Sequence, residues 1–433
     1  MNMLRNALPL VSLTVMLAAC SPGGEVKPTV NNTVQKPDEK ASQASKEPVK
    51  LEVASNASGS TLEAYKTLVY QFNAANPSIQ VELNPIAKDY ETLMNARMAS
   101  GDLPDVFNTH GWSVMKYSEY LRPLNDQPWA SSLVDEIKPI VTNDKGQMFV
   151  LPFDVDMTGL LYNPTILKEL GRSVPATWEE FAAVCEAAKQ AGYTPIHVGG
   201  KDDSGLAGMI NRIALSLLIM DSGKNYKKEL AEGSFDWNQF DRVTALILSW
   251  KEKGYFNVDN VTADKNATHT AMAKNKALFT FQSNQSITEI KKLNPDSKVN
   301  LMRIPTLLKT DEPFLISGER DAVGVWKSTK HEKEALQFLS FLAQPEHVSA
   351  VAASYGIPAA LKGVKVDLGS QGDVYGQFSK LSVTNHFDRQ YLPNGMWNTM
   401  KSVGTSMLSG MSAKDVSKTM KQDYDRLRSA AAR

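Results

Sequence analysis

Asp154 and Asp156 are the two residues whose type and spacing most directly suggest chemistry. A pair of carboxylates can serve as the acid and nucleophile of a glycosidase. Residues two apart on a strand point the same way and lie side by side, not facing each other across a bond. Other catalytic signatures are missing: the chain has no P-loop, no dinucleotide glycine fingerprint and no G-x-S-x-G. Its 6 histidines are scattered, with no H-x-x-x-H, so neither a catalytic zinc nor another cofactor is expected. The pattern favours binding over catalysis.

Cys20 has a different chemistry. Arg5 is followed by an apolar run, Ala7 to Leu17, too short to span a bilayer comfortably. The run ends in Leu17-Ala18-Ala19-Cys20, where small residues suit a signal peptidase and the cysteine resembles a bacterial lipobox. A signal peptide over 1–19 and a lipid on Cys20 are therefore expected, with the body tethered to the outer face of the cell membrane. Residues 20–49 contain no aromatic residue and are dominated by Lys, Glu, Pro, Ser, Gln and Asn. Such a segment cannot bury enough apolar surface to offset its ordering entropy, and is expected to be a disordered spacer.

The chain has 433 residues, and its 47 Lys and Arg balance 47 Asp and Glu, which gives no electrostatic footprint for nucleic acid. After Cys20 the only cysteine is Cys185, so no intrachain disulfide is expected. Its spacing with Trp178, Phe181 and Ala188 places it on the buried face of a helix.

Patterning along the body gives an alternation of elements. Strands are expected at Leu51 to Ala54, Ile79 to Leu83 and Asp105 to Asn108, with helices at Thr61 to Ala75 and Tyr90 to Ala99 between them. That order implies a parallel sheet with ligands beyond the carboxyl ends of its strands. Later come a strand at Gly159 to Asn163, a helix opened by the capping box Thr177–Glu180, and helical stretches at Asn211 to Met220 and Phe240 to Lys253. Strands at Ala277 to Phe281 and Ala322 to Trp326, a helix at Lys330 to Leu342 and a helical block from Met396 complete the chain.

Several segments, in this order, resemble a known family. They are Gly101 to Phe107 (GDLPDVF), Leu151 to Asp156 with Leu161-Tyr162-Asn163, Val174 to Phe181 (VPATWEEF), and Gly324 to Leu342 ending in QFLSFL. Together they are similar to the extracellular solute-binding proteins, family 1, of ATP-binding-cassette sugar importers, the maltose-binding-protein-like group. The resemblance implies a two-lobed α/β fold of the periplasmic-binding-protein type, each lobe a sheet flanked by helices and joined by hinge strands. It places the crossings near Pro152 to Met157, Met302 to Thr306 and Tyr355 to Ala359. The lobes would then be 50–153 plus 307–356, and 154–306 plus 357–433.

The resemblance further implies a monomeric, non-catalytic receptor that delivers a sugar, expected to be an oligosaccharide, to transmembrane permease subunits. A lipid-anchored carbohydrate hydrolase and a binding protein feeding a membrane sensor are the alternatives. Sugars offer hydroxyls around partly apolar ring faces, so the binding residues should be Trp, Asp and Asn at loop ends. Asp156 and Asp154 lead the candidates. Trp397 matches a stacking aromatic at the start of a late helix, and Trp112 sits in the loop after the third strand. Asn284, in Gln282-Ser283-Asn284-Gln285, stands where relatives carry an aromatic. Asp202, Asn56 and Ser58 occupy ligand-loop positions of the family, and Arg320 is expected either to reach the cleft or to pair with a nearby acid.

Overall fold

The computed structural model describes residues 47–86, 89–201, 204–368, 372–378 and 381–431. The expected signal peptide, Cys20 and the spacer through residue 46 lie outside them, as does Asp202. Val49, the last residue of the expected spacer, already belongs to a strand.

The first sheet grows from strand β1 (Val49–Ser55), whose inner residues Leu51 and Val53 are buried. The helix Gly59–Ala75 follows and turns Tyr65, Leu68, Val69 and Phe72 to the core. It stops at Asn76, before Pro77, where the Asn76 N–H still reaches the Phe72 carbonyl. Strand β2 (Ile79–Pro85), the helix Tyr90–Ser100 and strand β3 (Val106–Asn108) complete the alternation. β1 runs parallel to both β2 and β3. Strands β4 (Leu151–Pro152) and β11 (Ala322–Val325) extend the sheet in the order β2-β1-β3-β11-β4, with β11 antiparallel to both of its neighbours.

Two further sheets build the rest. Strands β6 (Leu160–Tyr162), β7 (Thr194–Ile196), β8 (Ala277–Thr280) and β9 (Asn300–Met302) lie in the order β7-β8-β6-β9. Strands β5 (Asp156–Thr158), β10 (Phe314–Gly318) and β12 (Ser382–Thr384) form a small sheet with β10 central. The helix Trp178–Gln190 starts as its capping residues require: Thr177 Oγ1 accepts from the Glu180 N–H at 3.2 Å. The Glu180 carboxylate reaches back to the Ala176 N–H at 2.8 Å, one residue earlier than the standard box. Cys185 is fully buried on this helix, and burial pushes its thiol pKa up.

Two large apolar cores define two lobes. One joins Leu51 through Val155 with Ala322 through Leu361. The other joins Leu160 through Ile316 with Phe387 through Tyr424. The crossings therefore differ from those expected. Met302 and Ile304 share a core with Phe314 and Ile316, so the chain passes to the first lobe between Gly318 and Ala322, not at Met302 to Thr306. The physical reason is β10: an extra strand adds to the second lobe before the chain leaves it. Likewise Ala359, the last residue of the expected third crossing, and Ala360 and Leu361 beyond it remain in the first core.

The connections are fastened by two buried carboxylates. Asp154 is fully buried and accepts the backbone N–H groups of Arg320 at 2.7 Å and Asp321 at 3.0 Å, tying the first crossing to the second. Its own backbone bridges to Ala359 in the third. Asp321 accepts from the Tyr65 hydroxyl at 2.7 Å, from Tyr355 at 3.3 Å and from the Asn108 amide. Burial outweighs these bonds and pushes its pKa up to about 6.

Two outcomes are expected in urea unfolding. Asp154→Ala strands two backbone donors and should destabilise the body by at least ~2 kcal/mol, since each unpaired buried group costs roughly 1–3 kcal/mol. For Asp321 the folded state holds the proton up to about pH 6, whereas the unfolded chain releases it near ~3.9. Between those values the folded state binds more protons, so this group's contribution is full below the unfolded pKa and is lost as pH rises through the folded one. The stability of Asp321→Asn relative to the parent should improve between pH 4 and pH 7; a constant difference would contradict the assignment.

Candidate functional site

The ends of the strands leave a cavity of about 360 Å³ between the two cores. From the first lobe it receives the loop after β3, where His110 and Gly111 take consecutive left-handed conformations (φ 44° and 79°). His110 Nδ1 lies 3.1 Å from the Arg320 carbonyl. Burial, with Arg389 and Arg320 nearby, pushes its pKa down to about 3, so the ring is neutral at physiological pH. The crossing after β10 contributes Gly318, Glu319 and Arg320 to the same wall.

The second lobe supplies the opposite wall. Asp156, at the start of β5, has its carboxylate held from two sides. Oδ1 accepts from Asn284 Nδ2 at 2.8 Å and Oδ2 from Thr158 Oγ1 at 3.2 Å. Arg212 comes from the helix Ser204–Ala214 and is fixed by donating to the carbonyls of Gly159 at 2.7 Å and Gly208 at 2.8 Å. A Cβ on Gly208 would stand 2.6 Å from Arg212 Nη1, so glycine there makes room for the guanidinium. Burial lowers the Arg212 pKa to about 10 while Asp156 opposes the fall, so Arg212 stays charged. Trp397 stands in the first turn of the helix Met396–Leu408 and lines the cavity, as do Gln282 and Gln285 beyond β8.

Several of these groups are only partly satisfied. Glu319 accepts from Ser113 Oγ at 2.9 Å through one oxygen, while its other oxygen, Arg320 Nε and Gln282 Nε2 are buried with no hydrogen-bonding partner among the described residues. Buried polar groups are nearly always paired. Three such atoms, on residues from both walls of the cavity, are left unpaired in this conformation.

The cavity meets a second hollow of about 530 Å³, with Lys265, Ser283, Gln285 and Arg320 lining both. Ser58 and Tyr355 line its first-lobe side, and the Arg320 guanidinium lies 5.1 Å from the Tyr355 ring centre. A still larger hollow of about 850 Å³ is a groove within the second lobe, walled by residues such as Trp178, Leu246 and Trp250. Glu179, Glu186, Arg242 and Lys253 also line it, but it draws on one lobe alone.

The expected site residues thus separate. Asp156, Trp397 and Arg320 meet at the cavity, and Ser58 lines the adjoining hollow. Asp154 does not face it: its bridge to Ala359 precedes β5, so the two aspartates do not share one regular strand. Trp112 is buried in the first core and fills space there. Asn284 stands behind Asp156 as its support, also bonded to the Tyr375 hydroxyl and, at 3.3 Å, to the Met157 carbonyl. Asn56 is half-buried and lines neither hollow. Patterning missed Arg212, His110, Glu319, His386 and Arg389. Arg212 carried the clearest signal, a lone cation beside the apolar run Ile213 to Met220.

Known proteins share this architecture. Residues 57–348 match the model of the bacterial extracellular solute-binding proteins. The melibiose/raffinose/stachyose-binding protein of Bacillus subtilis is 33% identical over 370 residues, 84% of this chain and 87% of its own. The multiple sugar-binding protein of Streptococcus mutans is 25% identical over 421 residues, 90% of this chain and 89% of its own. A sugar transporter protein of Bacillus licheniformis, solved in complex with stachyose, superposes with a TM-score of 0.78 at 32% identity, covering 88% of this chain and 100% of that one. A B. subtilis binding protein in an open conformation reaches a TM-score of 0.85 at 32% identity, covering 89% of this chain and 99% of the other. With two lobes, three crossings and a cavity between them, this chain belongs to the bacterial extracellular solute-binding protein family.

Proposed function

We propose that this protein is a receptor that captures an oligosaccharide between its lobes and delivers it to the permease of an ATP-driven importer, without chemically altering it. The observation that carries the proposal is the cavity wall. Trp397 offers a flat apolar face, while Asp156, Arg212, Glu319, Arg320 and Gln282 offer charged and amide groups, three of them with unpaired atoms. A pyranose presents the matching surface, apolar on its ring face and bearing donors and acceptors around its edge. Melibiose, raffinose and stachyose, named for the B. subtilis relative, are saccharides of this kind.

A binding role also suits the carboxylate. Both oxygens of Asp156 already accept hydrogen bonds from the protein, a setting that fixes an acceptor for hydroxyls. Closure of the lobes about their three crossings would enclose the solute and create the surface the permease reads. The leader, the lipobox-like Leu17-Ala18-Ala19-Cys20 and the polar spacer support a lipid anchor on the outer face of the membrane.

Calorimetry with melibiose, raffinose and stachyose should give saturable binding, and prolonged incubation should release no smaller sugar. Trp397→Ala should weaken binding about ten- to a hundredfold, the ~1.4–2.8 kcal/mol typical of a buried aromatic anchor. Asp156→Asn should cost about tenfold or more, as expected for a charge-assisted hydrogen bond. Unchanged affinity in both variants would remove this cavity from the function. Detergent phase partitioning tests the anchor: the parent should enter the detergent phase and Cys20→Ser the aqueous phase.

A further inference from the structure

The cavity is open at one side and barred at another. Its open side leads past Lys265, Ser283, Gln285 and Arg320 into the 530 Å³ hollow. On the other side stands Arg389, from the short helix Phe387–Tyr391 of the second lobe. Its guanidinium closes on Gly111 of the first lobe through Nη1, where a Cβ would sit 1.8 Å from Nη1 and 2.3 Å from Cζ. The same Nη1 would be 3.4 Å from a Cβ on Gly318. The left-handed pair His110–Gly111 holds the loop so that bare backbone meets the guanidinium. Burial pushes the pKa of nearby Glu319 up, and Arg389 opposes that rise.

Beyond this contact lies a third hollow of about 300 Å³, lined by Val114 and Met115 from the first lobe and by Asn385 and Gln390 from the second. These residues flank the cavity's own: His110 precedes Val114, and His386 and Arg389 lie between Asn385 and Gln390. The Arg389–Gly111 contact therefore lies between the residues that line the two hollows.

We propose that Arg389 is an end-stop, which makes the cleft blind at that side and restricts it to one terminus of an oligosaccharide. The terminal ring occupies the cavity beside Trp397 and Asp156. The remaining rings run out through the neighbouring hollow, past Arg320 and Ser58. This rests on the oligosaccharide receptor proposed above and adds the direction of the chain and the residue that sets it.

Stachyose and two derivatives test this, each derivative carrying a bulky aromatic group on one terminal ring or the other. Calorimetry on the parent protein should show one derivative binding within about tenfold of stachyose and the other weakened by about a hundredfold or more. In Arg389→Ala the ratio between the two derivatives' affinities should fall to within about tenfold, whatever the affinity for stachyose. Thermal melting verifies that the variant is folded, and the contrast in the parent protein stands without any variant. Equal tolerance of both derivatives, or equal rejection, overturns the blind end. Discrimination that persists in folded Arg389→Ala overturns the role of Arg389. Failure of melibiose, raffinose and stachyose all to bind overturns the oligosaccharide receptor itself, an outcome distinct from the other two.

Discussion

The two backbone N–H groups that Asp154 accepts are the constraint on which the site depends. Burial pushes the pKa of this carboxyl group well up, and without solvent its oxygens need partners from the protein. Here the bonds go to Arg320 and Asp321, the residues that carry the chain from one core to the other. The same fastening aims Glu319 and Arg320 at the cavity. Asp154, expected beside Asp156 as a ligand contact, therefore works one step behind the wall, holding the groups that form it.

The first lobe was legible because its signals are local and mutually consistent. The helix Gly59–Ala75 shows its apolar spacing and its Asn76-Pro77 stop, and the strands on either side of it are short apolar runs. The crossings were less legible. Phe314–Gly318 is buried at every position, so it carries no alternation to mark it as a strand or to say which sheet it joins. Its partners, β5 and β12, lie far away in sequence, and only the tertiary fold assigns it to the second lobe.

The cavity divided along similar lines. Trp397 and Arg320 could be found because helix starts and loops expose their side chains to a cleft. Asp156 could be found too, although the strand geometry invoked for it wrongly included Asp154. Asn284 and Trp112 could not be sorted by type, because a buried amide supporting a carboxylate and an amide touching solute look alike in sequence. Arg389 was hidden for another reason: its significance lies in the missing side chain of Gly111, more than two hundred and fifty positions earlier in the chain.

The placement of β11 has a kinetic consequence. It inserts between β3 and β4, so the first sheet stays split until Ala322–Val325 has been synthesised. The second core likewise waits for Phe387 through Tyr424. Neither lobe can close from its early segments alone, and contacts this distant in sequence slow folding. Both lobes therefore stay incomplete until late in synthesis, the first until Ala322 through Leu361 and the second until Phe387 through Tyr424 have been made. Late completion of this kind suits a chain that must be threaded before it folds, and here it follows from strand order.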